Sequence, residues 1–263
     1  MLNKEEITRY SKQIQLSEIK MTGQENLKNS RVLIIGAGGL GCPAIQYLAA
    51  AGVGNIGIVD FDKVDLSNLQ RQVLYNTDDI GKSKAVIAVV KIALLNPNVQ
   101  TEVFNERLSA DNASLIISKY DIVMDCTDNF ATRYLINDVC VVLDKPFVYG
   151  GIHTFEGQLS VFNYKSKEGI MGPTYRCVFP ESSSGELMIN CSISGVIGTL
   201  PGIIGVMQAQ EVIKMITGAG NVYSGKILLY NSLSNIFTEI KIKRNEEAIN
   251  LLKLNALANI ITI

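Results

Sequence analysis

Ten residues, VLIIGAGGLG at 32–41, constrain what this chain can fold into more than any other stretch. The apolar run Val32, Leu33, Ile34, Ile35 reads as a strand buried on both faces, because a half-exposed strand would alternate apolar with polar. Gly36, Gly38 and Gly41 follow at G-x-G-x-x-G spacing, where the missing β-carbons let the backbone turn tightly and approach a phosphate at the next helix's N-terminus. A second apolar run, 56–59, ends in Asp60, about twenty residues past the glycines, where a carboxylate can accept ribose hydroxyls. A glycine-rich turn with no ligand would account for the glycines but not for the distance to Asp60.

The alternation continues downstream. Strands at 31–35, 56–60, 99–104, 121–125 and 147–149, separated by helices at 39–51, 82–95, 111–118 and 130–143, predict an α/β fold with a mostly parallel sheet covered on both faces. Ahead of it, residues 1–30 form an N-terminal helical segment with apolar positions at Ile7, Tyr10, Ile14 and Leu16. Residues 31–150 make the nucleotide-binding region, and residues 151–263 a C-terminal region of the same domain. In that region 157–164 alternates like an antiparallel strand, 165–190 is a long loop rich in Ser, Gly and Glu, 226–230 and 237–243 pair as a hairpin, and 246–254 is a short helix. The predicted fold class is therefore a doubly wound, Rossmann-like sheet with an antiparallel C-terminal extension.

Composition excludes several partners. The 263 residues carry a formal net charge of -1 with no basic run, which argues against a nucleic-acid surface. The apolar stretch 195–213 is long enough to span a bilayer, but it carries Thr199, Pro201, Gln208, Gln210 and Glu211, so it reads as a buried core helix and no membrane is expected. Five cysteines, an odd number without framework spacing, point to a reducing cytoplasm.

Chemistry separates the nucleotide enzymes. Asn68, Arg71 and Lys84 place polar and cationic side chains just beyond the second strand, and the segment 125–129 (DCTDN) closes another strand with Asp125 and Asp128. An NAD-dependent oxidoreductase binds a neutral nicotinamide and has no use for these cations; an enzyme that expels pyrophosphate must neutralise it. Surface ion pairing is the ordinary fate of either cation alone, and capping the helix that follows is the alternative role for Asp128, one compatible with holding a metal.

With RYSKQI, GAGGLGCP, DFDKVDLSNLQRQ, the second lysine of GKSKA, CTDN and NCSISGVIGTLPGIIGVMQAQEVIK all present, the chain resembles the ThiF/MoeB/HesA family, bacterial relatives of ubiquitin-activating enzymes, from about Arg9 to Lys243. The resemblance implies an adenylyltransferase that uses ATP and Mg²⁺ to activate the C-terminal carboxylate of a small ubiquitin-like sulfur-carrier protein ending in Gly-Gly. It implies a nucleotide site of Gly36, Gly38, Gly39, Gly41, Asp60, Asp62, Asn68, Arg71, Gln72, Lys84, Asp128 and Asn129, with Asp128 holding magnesium and Arg71, Lys84 and Asp128 acting in catalysis. Cys191 matches the cysteine that joins the carrier covalently in ThiF-like members; a structural buried cysteine is the alternative. Lys12 stands where MoeB-like members place an arginine that reaches the partner subunit's ATP, and supplies charge without the bidentate fork. A homodimer and a sulfur donor such as a cysteine desulfurase are the further partners implied.

Many members also carry two CxxC pairs that bind zinc. Here the first pair is Thr174 and Cys177, and no cysteine follows Cys191, so no zinc is expected. Such a metal contributes about 10 to 16 kcal/mol of apparent folding free energy, so without it this subregion must hold by packing or stay mobile. With Cys191 present and no rhodanese-like domain, thiamine biosynthesis is the first expectation and molybdopterin biosynthesis the second. Adenylation of a peptide or small-molecule carboxylate, an NAD-dependent oxidoreductase, and a non-catalytic scaffold are the competing readings.

Overall fold

The computed structural model describes residues 1–180 and 195–261, with side chains as far as Leu254. Three helices come first, α1 (Lys4–Arg9), α2 (Ser11–Ile14) and α3 (Lys20–Asn29). Asn3 and Glu6 cap α1 reciprocally, and the buried Glu6 carboxylate pairs with Lys28 at 2.7 Å, tying α1 to α3.

One eight-stranded sheet follows, in the order β3-β2-β1-β4-β5-β6-β7-β8. Its strands are β1 (Arg31–Ile35), β2 (Asn55–Val59), β3 (Gln100–Phe104), β4 (Ile122–Asp125), β5 (Phe147–His153), β6 (Glu156–Phe162), β7 (Lys226–Asn231) and β8 (Ile236–Lys241). The first five run parallel, and β5 to β8 form an antiparallel meander. The order reverses between β1 and β4, the switch point where such sheets leave a crevice at the carboxyl ends of their strands.

The continuous apolar runs are explained by two separate cores. Val32 and Ile34 of β1 pack on one side with α4 (Gly41–Ala51), α5 (Lys84–Leu95) and α8 (Thr199–Thr217). Leu33 and Ile35 pack on the other with α6 (Ala110–Ser118) and α7 (Phe130–Val142). Both faces are dry, so β1 has no solvent side on which to place polar residues.

Several boundaries move from their predicted places. The core helix starts at Thr199, with Pro201 in its first turn, and ends at Gly218 in a left-handed cap with φ 74°. Its Gln208 is fully buried and donates to the carbonyls of Asp125 and Val148 at 2.8 and 3.2 Å, bridging β4 and β5. Gly150 leaves room for that side chain, since a β-carbon there would sit 2.4 Å from Gln208. One of the polar residues that excluded a membrane span, Gln208, thus joins helix to sheet, and no described helix is long and apolar enough to cross a bilayer. The C-terminal helix, α9 (Glu246–Ile261), runs past the predicted end at 254. The predicted loop from 165 is not featureless either: Lys165 bridges Met171 and Tyr175–Cys177 form a 3-10 turn, while 181–190 lies outside the described residues.

Candidate functional site

The cleft at the switch point has a volume of about 650 Å³ and is lined from every parallel strand end around it. β1 contributes Gly36, Gly38 and Gly39; β2 contributes Asp60, Phe61 and Asp62; the turns beyond add Arg71, Gln72 and Lys84; β3 is followed by Glu106, Arg107 and Leu108; β4 by Thr127, Asp128 and Asn129; α7 adds Arg133.

The glycine turn is sterically compulsory. Gly36 has φ 96°, a conformation hostile to other residues, and a β-carbon there would lie 2.6 Å from the Cys126 carbonyl. Gly41 is buried against the Gly36 carbonyl at the start of α4, so it shapes the turn from below and does not line the cleft. Asp60 stitches the turn to the next loop, accepting from the Ala37 amide at 2.7 Å and the Asp62 amide at 2.8 Å. Burial pushes its carboxyl up from the ordinary range, against the pull of these two amides and of Lys84.

Lys84 opens α5 and is 5% exposed. Its ammonium pairs with Asp62 at 3.1 Å, and its amide donates to the Asp62 carbonyl at 3.0 Å. Asp65 caps a short 3-10 helix, Leu66–Asn68, by accepting from Ser67; the Asn68 carbonyl then accepts from the amides of Arg71 and Gln72 at 3.0 and 2.9 Å. Asn68 itself is absent from the cleft lining and holds the turn that carries Arg71 and Gln72 into it. Arg71 donates to the Ser67 carbonyl at 3.1 Å. Gln72 is buried beside Gly38, and its side-chain carbonyl finds no hydrogen-bond partner among the described residues.

Under the third wall lies Asp125, fully buried, accepting from the Thr127 amide and hydroxyl at 3.0 and 2.6 Å. Burial raises its pKa, outweighing Arg133 and the Thr127 donors. Arg133 donates to the Thr127 carbonyl at 2.9 Å, so the loop that presents Asp128 is held from both ends. Asp128 is exposed and makes no hydrogen bond or ion pair among the described residues. The helix cap considered for it belongs to Asn129, whose side chain accepts from Thr132 at 2.9 Å.

Lys12 is exposed on α2 and is not among the residues lining the cleft; Cys191 lies outside the described residues. Burial pushes the Cys42 thiol up to about 12 and raises those of Cys126 and Cys140, so these three stay protonated at neutral pH. Sequence reasoning missed Arg133, Phe61, Arg107 and Leu108. Arg133 has one signal, its position four residues after the cap, on the helix face that turns back toward Asp125; the others come together only through the sheet. A second pocket of about 240 Å³, walled by Phe130, Tyr149, Tyr175 and Phe179, adjoins the cleft through Arg133 and Ile152 and includes His153. At Thr174 and Cys177, where many family members carry their first CxxC pair, the Cys177 sulfur accepts from the amides of Thr174 and Asn245 at 3.4 and 3.3 Å, joining the 3-10 turn to the C-terminal segment.

The sequence profile of the ThiF family matches residues 10–251. The chain belongs to the ThiF family. It is 46% identical over 242 residues to the sulfur carrier protein adenylyltransferase of Thermus thermophilus, covering 92% of this chain and 89% of that one. It is 52% identical over 239 residues to the probable molybdopterin-synthase adenylyltransferase of Porphyra purpurea, covering 90% of this chain and 61% of that one. Against the adenylyltransferase and sulfurtransferase MOCS3 of Culex quinquefasciatus the identity is 48%, over 92% of this chain and 54% of the relative. The chain thus spans most of the first relative and little more than half of the other two. Among solved structures it resembles Escherichia coli MccB bound to MccA-N7isoASN, with TM-score 0.79 at 22% identity over 92% of this chain and 73% of that one. It also resembles PaaA, with TM-score 0.78 at 27% identity over 92% of this chain and 85% of that one.

Proposed function

We propose that this chain transfers AMP from ATP to the C-terminal carboxylate of a small ubiquitin-like sulfur-carrier protein, releasing pyrophosphate. The carrying observation is the convergence of a glycine turn, an acid at the end of β2, Arg71, Lys84 and Asp128 on one cleft. The names of the Thermus and Porphyra relatives favour adenylation over nicotinamide chemistry.

A carboxylate is already ionised near neutral pH, so the reaction asks for no general base; it asks that two anions be held together while charge grows on phosphate oxygens. In this reading Gly38 and Gly39 offer backbone to the phosphates, Asp60 accepts from the ribose, and Arg71 and Lys84 stabilise the departing pyrophosphate. The Lys84–Asp62 pair keeps the ammonium aimed while the site is empty of phosphate. Asn68 contributes by shaping the Arg71 turn. The carrier's tail reaches the α-phosphate past Arg133 and Ile152, the wall shared with the aromatic pocket.

Magnesium fits this donor set. It binds through one or two carboxylates plus substrate phosphates, and Asp128 presents an exposed carboxylate without a partner among the described residues. When bound, the ion neutralises phosphate charge. We assign Cys191, from sequence alone, to the covalent link with the carrier after adenylation, a cysteine desulfurase to sulfur supply, and Lys12 to contact across a homodimer. Free thiols at Cys42, Cys126, Cys140 and Cys177 support a cytoplasmic setting.

The test is isotope exchange between pyrophosphate and ATP with a candidate carrier ending in Gly-Gly. Exchange is expected only with the intact tail; exchange that ignores removal of the terminal glycine refutes the assignment.

A further inference from the structure

Phe61 is 47% exposed, an apolar ring standing directly after Asp60 at the mouth of the cleft. The Arg107 guanidinium carbon lies 3.9 Å from the centre of that ring. Both side chains line the cleft together with buried Leu108. Arg107 forms no ion pair among the described residues.

The backbone beneath Arg107 is anchored from several directions. Ser83 donates to the Asn105 side chain at 2.8 Å, across from the start of α5. Asn112 donates to the Arg107 carbonyl at 3.0 Å and to Glu106 at 2.9 Å, while its own carbonyl accepts from the Ser109 amide at 2.9 Å. The loop between β3 and α6 therefore delivers Arg107 to Phe61 as part of a helix cap.

Strand order says what the pair faces. The glycine turn lies on β1, toward β4, and Asp60 ends β2 on its other side, with β3 beyond. A nucleotide with phosphates at the glycine turn and ribose at Asp60 extends its base toward the loops after β2 and β3, where Phe61, Arg107 and Leu108 stand. A planar guanidinium resting on an aromatic ring presents a flat cationic face, suited to the π-system of a base.

We propose that Arg107, seated on Phe61, is the stacking platform for the purine base of the bound nucleotide. This rests on the nucleotide-binding reading above. The test is equilibrium titration of the full chain with Mg-ATP and, separately, with Mg-tripolyphosphate, which has no base. Arg107→Ala is expected to weaken ATP about tenfold, the order of one stacked cationic contact, with tripolyphosphate affinity unchanged. Arg107→Lys recovers little, because an ammonium has no plane. Equal losses for both ligands overturn the proposal, since Arg107 would then act on phosphate; so does an ATP affinity that ignores the substitution. A wild-type chain that binds neither ligand overturns the nucleotide reading as well, whereas tight wild-type binding with an indifferent variant overturns only the role of Arg107.

Discussion

The central parallel strands and the antiparallel edge strand of the sheet are of similar length in opposite surroundings. Every residue of β4, and all but the first of β1 and β2, is shielded from solvent or nearly so, while all six residues of β8 are exposed, Ile236, Phe237 and Ile240 among them. Helices on both faces hold these central strands, so their carboxyl ends are fixed points on which loops from distant parts of the chain meet. The antiparallel half ends in a strand that the described residues leave open to solvent. Chemistry therefore concentrates where the backbone is over-determined, and tolerance where it is not.

The sharpest way to break this contrast is at the loop after β4. Asp128→Ala is expected to abolish pyrophosphate exchange, a loss of about a hundredfold or more if the carboxylate anchors the metal on phosphate. Direct titration with Mg²⁺ and ATP should show the matching loss of metal affinity; near wild-type exchange would remove Asp128 from the site.

Arg71→Ala and Lys84→Ala should each depress adenylation by about tenfold or more, the order of losing a charge-stabilising group. Cys191→Ser should leave adenylation intact and block only the covalent step with the carrier. The two half-reactions separate because a carboxylate needs no thiol to attack ATP. Adenylate formation that vanishes in a folded Cys191→Ser protein would contradict the division.

A one-carbon addition at the glycine turn should cost more than larger changes on the open strand. Gly36→Ala puts a β-carbon 2.6 Å from a carbonyl at φ 96°, and a cost of about 1 to 3 kcal/mol is expected for the strained residue alone. Phe237→Ala and Ile240→Thr on the open strand should stay near about 1 kcal/mol or below. Denaturant midpoints check both, and similar losses would erase the contrast.

A smaller effect is expected beneath the cleft floor. Asp125 has its pKa raised above the ordinary 3.8, chiefly by burial. The native state then keeps a proton that the unfolded chain has lost, so this group's contribution is fullest below 3.8 and is lost as pH rises through the raised value. Asp125→Asn removes the titration, so stability measured across acidic to neutral pH should move in the variant's favour as pH rises. A wild-type advantage that grows with pH would show the ionised Asp125 and Arg133 to be net stabilising.

The least effect is expected from a strong chelator, which should leave the melting temperature unchanged, with no stoichiometric zinc by elemental analysis. Thr174 cannot replace a thiolate, and the Cys177 sulfur is already occupied by two amides. One zinc per chain, with a melting temperature that falls on chelation, would reverse this expectation.

The central parallel strands were legible in the sequence because burial on both faces demands unbroken apolar runs, and because Gly36 and Gly41 have no substitutes where backbone meets backbone. The family resemblance was legible because its motifs are contiguous in the chain, and GAGGLGCP, DFDKVDLSNLQRQ and CTDN each follow the end of a strand. Local sequence could not separate Asp128 from Asn129 as the helix cap, since either side chain suits that role and only the path of the loop chose Asn129. Nor could it show that Asn68 supports Arg71 from outside the cleft, or that Arg107, 46 positions beyond Phe61 in the numbering, rests on its ring. Those outcomes depend on side chains from separate strands reaching one place. The sequence alone determined which elements form and what kind of ligand their ends can take; tertiary packing decided which polar side chains face that ligand, because contact between strand ends is set by sheet order, which no single stretch of chain contains.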